Sequence, residues 1–317
     1  MLHLVAGGCG FLGRHVARLL KERGDEVVIA DSVEFPDASF EVRSKILDLS
    51  QAGTREFDHL IANVDVVHHY AWTTLPSTAN VDPLADLRDN LAITIGFLDA
   101  LKRRGAGRIV FSSSGGTVYG RLRKIPVREC HPLEPIAAYG VSKVAAEHYL
   151  GLYRHLFNVD TRIARLSNPY GAGQNPFGGQ GVATVFAHRA LAGEPIELWG
   201  SGDVIRDFIY IEDAAAGLVA VADAPSMPET ISPIFNIGSG TGTKIAEIIP
   251  FIEREIGEPV CIENKPSRLF DVPASVLDIS KAQSILSWSP VVSLQDGIAK
   301  MIADLKVDRK RRFASHL

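Results

Sequence analysis

The first thirty-one residues constrain this chain more than any other stretch. The apolar start Leu2–Ala6 runs into Gly7-Gly8-Cys9-Gly10-Phe11-Leu12-Gly13, then a helix-patterned segment, then Val27-Val28-Ile29-Ala30 closed by Asp31. Strand, glycine turn, helix, strand and terminal acid in that order are the sequence form of a dinucleotide site. Gly7 lets the chain turn sharply after the strand. Gly10, without a side chain, lets backbone approach a pyrophosphate, and Gly13 lets the helix pack close to the strand. The helix start at Phe11-Leu12, with its unpaired N–H groups and positive dipole end, faces the phosphates. Asp31 lies roughly 20 residues past the turn, where a carboxylate accepts hydrogen bonds from a ribose diol. A 2′-phosphate there is repelled, and Ser32, Val33 and Glu34 offer no cation to attract one. NAD is therefore favoured over NADP.

The rest of the first half alternates β-rich runs with helical patterns. Strands are predicted at Leu2–Ala6, Glu26–Ala30, Val64–His69, Arg108–Ser113 and Asp160–Arg165, and helices at Phe11–Arg23, Pro83–Arg104 and Ala138–Phe157. The alternation implies an α/β fold, a doubly wound parallel sheet of the Rossmann kind. Ligands then lie beyond the carboxyl ends of the strands. From about residue 168 the pattern changes. Gly171–Gly181 reads as a long loop over a site, and shorter elements follow around turns at Gly200-Ser201-Gly202 and Gly238-Ser239-Gly240. The division expected is a cofactor domain over 1–167 and a smaller interleaved substrate lobe over 168–317, some of whose segments return to the first.

Composition narrows the classes. A net charge of −4 argues against non-specific nucleic-acid binding. Three cysteines, odd in number and far apart (Cys9, Cys130, Cys261), make neither a disulfide framework nor a metal cluster. They suit a reducing, cytoplasmic compartment. The apolar start is broken by glycines at once and reads as a buried strand rather than a leader. No apolar run reaches membrane-spanning length, so no membrane partner is expected. His68-His69 are strand neighbours facing opposite sides with no third ligand at useful spacing, so no metal is expected. The basic tail Asp308–Arg312 suits a solvated helix end.

Chemistry enters at Tyr139 and Lys143, four residues apart at the start of a predicted helix and so on one face. A lysine ammonium beside a phenol stabilises phenolate and lowers its pKa. The lysine also reaches a ribose hydroxyl. The run Ser112-Ser113-Ser114-Gly115-Gly116-Thr117 precedes this pair and supplies hydroxyls. A hydroxyl, a base and a nicotinamide together make hydride-transfer chemistry at a carbinol carbon.

With these motifs, and with Asp48-Leu49, Asn90, Val118-Tyr119-Gly120, Asn168-Pro169-Tyr170-Gly171, Arg206-Asp207-Phe208-Ile209 and Arg268-x-x-Asp271, the chain resembles the extended short-chain dehydrogenases/reductases of the UDP-glucose 4-epimerase group. The resemblance covers nearly the whole chain and implies the following roles. Asp48 and Leu49 border the adenine, Tyr70-Ala71 pass the cofactor ribose and pyrophosphate, and Asn90 braces the sheet near Lys143. Asn168 holds a substrate phosphate, Arg206 and Arg268 clamp the diphosphate, Trp199 stacks on uracil and Asp271 takes a ribose hydroxyl. Plainer readings stand beside three of these: Asn168 as a turn cap, Trp199 as core, and Arg206 with Asp207 as a structural ion pair.

The chain departs from the family just before Val118. Dehydratases carry Asp-Glu where Gly116 and Thr117 stand, and decarboxylases carry Glu at Thr117. Without those acids the resemblance points to epimerisation or simple oxidation–reduction. The position that usually carries the catalytic hydroxyl is Gly115. Ser114 reaching in, Thr117, or Tyr139 with less help are the alternatives. Ser275, four residues after Asp271, stands where a bulky residue excludes N-acetylated sugars, so a pocket admitting a 2-substituent is expected. The reading is an NAD-dependent epimerase acting at carbon 4 of a UDP-hexose. The alternatives are a nucleotide-sugar dehydrogenase or ketoreductase, and a non-catalytic nucleotide-binding module. Leu84, Leu87, Leu91, Ile95 and Leu98 at helical spacing, with a second amphipathic helix at Ala138–Phe157, suit either a homodimer or burial within one chain.

Overall fold

A computed structural model describes residues 1–35, 40–225, 227–228, 230–267 and 272–314, with side chains up to 307. Along the chain run β1 (Leu2–Ala6), α1 (Phe11–Glu22), β2 (Glu26–Asp31), β3 (Arg43–Ile46), α2 (Thr54–Ile61), β4 (Val66–His69), α3 (Pro83–Arg104), β5 (Arg108–Ser114), α4 (Ala138–Phe157), β6 (Asp160–Leu166) and β7 (Asn168–Tyr170). There follow α5 (Val182–Ala192), β8 (Ile196–Trp199), β9 (Ile205–Tyr210), α6 (Ile211–Asp223), β10 (Ile234–Ile237), β11 (Gly242–Lys244), a 3-10 turn (Ile245–Ile248), α7 (Ile249–Ile256), β12 (Ile262–Lys265), β13 (Ala274–Ser275), α8 (Ser280–Leu286) and α9 (Leu294–Ala314).

Seven of these strands form one parallel sheet in the order β10-β6-β5-β4-β1-β2-β3. The chain winds outward from β1 through β2 to β3, then returns to β4 on the other side of β1. That reversal opens the ligand crevice of a doubly wound fold at the carboxyl ends of β1 and β4. One face packs Val5, Ile29 and Val110 against Val16 and Leu20 of α1 and Leu218 and Val221 of α6. The other packs Leu4, Val67 and Phe111 against Phe57 of α2, Phe97 of α3 and Leu150 of α4. Two segments beyond residue 168 return to this sheet, since α6 covers one face and β10 pairs with β6. A third core lies away from it, where Phe186, Ile196, Phe208, Ile252 and Ile298 meet.

Local sequence explains the sharpest boundaries. Asp82 caps α3 by accepting from Ala85 N–H at 3.0 Å, Pro83 opens the helix, and Gly105 at φ 69° closes it. The five predicted strands and three predicted helices occur with ends shifted by two residues at most. The strand expected from Val64 starts at Val66, and α1 stops at Glu22 with Arg23 as its cap. Within the first 167 residues two elements have no counterpart in the sequence expectations. β3, Arg-Ser-Lys-Ile, is an edge strand with all four residues exposed, so it carries no apolar alternation to read. α2 is only eight residues long.

Within the first face, Tyr70 Oη and His68 Nδ1 share a hydrogen bond at 2.8 Å, and His68 Nε2 and His3 Nδ1 share one at 3.0 Å. His3 Nε2 lies 3.8 Å from Asp25 Oδ1. His3, His68 and, on the opposite face, His69 are fully buried, and burial lowers all three from the ordinary 6.5. Unfolded imidazoles take up protons near 6.5 and these folded ones do not. Their contribution to stability is therefore complete above pH 6.5 and is lost as pH falls toward their lowered values. The salt-bridged carboxylates act only nearer 4. The urea midpoint is expected to fall steadily from pH 6.5 to about 4.5. His3→Leu with His68→Phe should flatten that slope, and an unchanged slope would contradict this assignment.

Candidate active site

The glycine turn is built without room for side chains. Gly7 sits at φ 79°, and a β-carbon there would lie 2.5 Å from Ala71 N and 2.8 Å from the Tyr70 carbonyl carbon. A β-carbon on Gly13 would lie 2.2 Å from the Gly7 carbonyl oxygen, and one on Gly10 would lie 3.2 Å from it. α1 begins at Phe11 with no side-chain cap and no acidic residue in its first turn, so its leading N–H groups lack intrahelical acceptors. Phe11 and Leu12 are half-buried and pack toward the third core, while His15 Nε2 donates to Ala172 O at 2.9 Å. Asp31 ends β2 and accepts from Cys9 N–H at 2.9 Å through Oδ2. Among the described residues its Oδ1 has only long contacts, to Val33 N at 3.4 Å and Ser32 Oγ at 3.5 Å. An uncapped helix end, a cradle that a methyl group would fill and a carboxylate with an open oxygen fit a dinucleotide. Asp48 is exposed and turned back on Ser50, while Leu49 is buried in the second face.

The segment after β4 links this turn to the helix that carries Tyr139 and Lys143. Tyr70 N–H donates to Ala6 O at 2.9 Å, which carries Tyr70-Ala71 across Gly7. Thr73 N–H then donates to Asn90 Oδ1 at 2.8 Å, and Asn90 Nδ2 donates to Asp86 O at 2.8 Å. Asn90 thus braces this loop rather than the sheet. Asp86 also accepts from Thr74 Oγ1 and from Ser142 Oγ. Asn80 Oδ1 accepts Ala138 N–H at 2.9 Å, replacing the cap that Ala137 cannot supply to α4. Neither Asp86, Ser142 nor Trp72 belongs to a motif. The spacing of Asp86 and Asn90 by one helical turn is the only sequence signal that could have flagged the first.

Tyr139 and Lys143 lie one turn apart on α4. Lys143 is 4% exposed and donates to Ser112 O at 2.8 Å, and its Nζ lies 5.5 Å from the Tyr139 ring centre. Burial pulls the ammonium down to about 7. The expectation that Lys143 lowers the Tyr139 pKa is not met in the protein alone. Burial pushes the phenol upward and Asp86 adds to that, while the ammonium is held at Ser112 and among aromatic rings. One turn further, Glu147 accepts from Ser113 Oγ at 2.5 Å and pairs with buried Arg165 at 2.6 Å. Arg165 continues to Tyr119 Oη at 3.0 Å, which donates to Asn236 of β10 at 2.6 Å.

At the departure from the family, Leu277 occupies the space above Gly115. A β-carbon there would lie 2.6 Å from Leu277 Cδ1. Ser114 is half-buried and its hydroxyl borders Gly116, whereas Thr117 Oγ1 is buried without a partner among the described residues.

The second half of the site gathers around β9. β7 places Asn168 opposite Phe208, and Asn168 Nδ2 donates to Asp207 O at 3.1 Å. Arg206 donates to Ile205 O at 2.9 Å and Val272 O at 2.7 Å. Asp207 is buried, and its carboxylate accepts from Ser239 and from the N–H groups of Gly240 and Leu277. Those bonds anchor the strand ends beside the Gly115 loop. Ser275 is 4% exposed, in register with Arg206. Trp199 ends β8 and is 37% exposed, so it is not core. Arg268 and Asp271 lie outside the described residues.

Gly115→Ser is expected to cost ~1–3 kcal/mol through overpacking against Leu277. Leu277→Ala, destabilising alone, should relieve that cost in the double variant. Urea denaturation checks it, and strictly additive effects would contradict the contact.

The NAD dependent epimerase/dehydratase family model matches residues 3–238. The chain is 32% identical to a UDP-glucose 4-epimerase of Mycolicibacterium smegmatis, covering 95% of this chain and 97% of that protein. It is 33% identical to a dTDP-4-dehydro-6-deoxyglucose reductase of Escherichia coli, covering 96% and 97%. Its fold superposes on the UDP-glucose 4-epimerase of Thermotoga maritima, solved with UDP-glucose, with a TM-score of 0.89 at 28% identity over 98% of this chain and 100% of that one.

Proposed function

The chain belongs to the NAD dependent epimerase/dehydratase family, and from that premise we propose that it epimerises a UDP-hexose at carbon 4. The observation that carries the proposal is the pair of half-buried Tyr139 and buried Lys143, one turn apart on α4 and tied through Trp72 to the segment that crosses the glycine turn.

The turn of Gly7, Gly10 and Gly13, the α1 start and Asp31 would hold NAD, with Tyr70-Ala71 along its path. When bound, NAD takes up and returns a hydride and, oxidised, adds a positive charge. Tyr139 takes the proton of the sugar 4-hydroxyl and returns it once the 4-keto sugar has turned. With the cofactor in place, its charge would act together with that of Lys143 to favour the phenolate, and Lys143 would orient a ribose hydroxyl. Half-buried Ser114 suits the reacting oxygen better than Thr117, whose hydroxyl is buried. Arg206 and Asn168 would hold the diphosphate, exposed Trp199 would stack on the base, and small Ser275 would leave room for a 2-substituent. Gly116 and Thr117 offer no carboxylate, which speaks against elimination and decarboxylation.

A ketoreductase reading is favoured by one observation, the similarity to a named reductase. A UDP-sugar panel read by product stereochemistry separates the two. Inverted C4 product without net NADH is expected, and stoichiometric NADH consumption with a keto sugar would favour the reductase. Tyr139→Phe should lower kcat roughly 10²–10⁴-fold with NAD binding kept. An unchanged kcat would refute the assigned role.

We also propose a homodimer formed through α3 and α4. Leu98 is buried within the chain, but Leu84 and Leu87 of α3 and Val141, Tyr149, Leu152 and Leu156 of α4 are exposed in stripes. Leu87→Glu with Leu152→Glu should halve the mass seen by light scattering, and a monomeric parent would contradict the interface. No helix among the described residues is long and apolar enough to cross a membrane. The free thiols of Cys9, Cys130 and Cys261 suit the reducing cytoplasm.

A further inference from the structure

Lys143 sits in an unusual place for an ammonium. Its Nζ lies 3.6 Å from the ring centre of Trp72 and 4.7 Å from that of Phe111. Its hydrogen bond among the described residues goes to Ser112 O. The charged and titratable groups around it come from three elements. Asp86 of α3 and Glu147 of α4 favour its charge, but Asp86 binds Thr74 and Ser142, and Glu147 is paired with Arg165. His69 of β4 is neutral, pulled down to about 3 by burial and by Lys143 itself. Tyr139 is the fourth. Among the described residues no carboxylate is bonded to the ammonium, and the aromatic faces stand in for one.

Trp72 is fixed for this task. The next residue, Thr73, is bonded to Asn90, and the indole rests on Phe111 at 5.7 Å and His69 at 6.4 Å. Its edge meets Tyr139 at 6.2 Å and 70°. Its Nε1–H is buried without a partner among the described residues. A buried donor left unpaired is unfavourable, so the ring's orientation answers to its face, which covers the ammonium.

We propose that Trp72 is a positioning residue whose indole face keeps the Lys143 ammonium charged and in place beside Tyr139. The negative face of the ring quadrupole favours the cation and opposes the desolvation that otherwise neutralises a buried lysine. Trp72 acts through Lys143 and touches no reacting atom. Its effect on turnover rests on the Tyr139–Lys143 assignment above, whereas its effect on the lysine does not.

The test titrates Lys143 by NMR in protein carrying ¹³C at the lysine ε-carbon, free and NAD-loaded, with the signal assigned from Lys143→Arg. In Trp72→Leu the Lys143 pKa should fall by roughly one unit. Trp72→Phe, which keeps a weaker ring face, should fall by less. The alkaline limb of the kcat profile should move down with it while KM stays put. An unshifted Lys143 titration in folded Trp72→Leu overturns the proposal. If that variant fails to fold, an unshifted titration in Trp72→Phe does so. A shifted lysine in a protein inert toward every UDP-sugar leaves the proposal standing and defeats the epimerase reading instead.

Discussion

Everything near the crevice depends on a space too small for a methyl group. A β-carbon on Gly13 would come within 2.2 Å of the Gly7 carbonyl, and one on Gly7 within 2.5 Å of Ala71 N. Three segments therefore touch as bare backbone: the end of β1, the start of α1 and the exit from β4. Because α1 starts that close to β1, its unpaired N–H groups open on the crevice. Because the β4 exit crosses there, Trp72, Thr73 and Thr74 are delivered to α3 and α4. The cofactor site and the tyrosine–lysine pair are thus two ends of one packed contact.

From that contact, polar groups pass the geometry onward. Asp86 and Asn90 of α3 hold the loop after β4 and the Ser142 hydroxyl between Tyr139 and Lys143. On the same stripe of α4, Glu147 ties Ser113 at the end of β5 to Arg165 of β6. Buried pairs of this kind add little net stability, yet breaking one strands a charge and costs ~3–5 kcal/mol. Asp207 does similar service on the substrate side, gathering Ser239, Gly240 and Leu277. Leu277 then closes over Gly115, so the missing side chain at that position leaves a filled space rather than a gap.

The fold was legible where the signal is local. Gly7 to Asp31 spells a strand, a turn, a helix and a strand within one unit, and Asp82-Pro83 with Gly105 brackets α3. β3 was not legible because an exposed edge strand has no face to pattern. The site divides the same way. The spacing of Tyr139 and Lys143 follows from helix periodicity, and Gly115 to Thr117 stand out against their neighbours in kind. The electrostatics did not follow. The phenol is raised rather than lowered in the protein alone, because burial beside Trp72 and the charge of Asp86, both far away in sequence, act in the same direction. The partition of Arg206 and Asp207 into separate bonding roles was equally invisible, since it depends on how β9 meets residues 239, 240 and 272.

The central claim is that NAD is reduced and reoxidised on the same sugar, with Tyr139 moving the proton. The most direct measurement uses UDP-hexose deuterated at carbon 4, with product analysed by NMR and mass spectrometry. The account predicts deuterium retained at carbon 4 of the inverted product, with none in free nicotinamide. Deuterium in released NADH, or its loss to solvent, would contradict it.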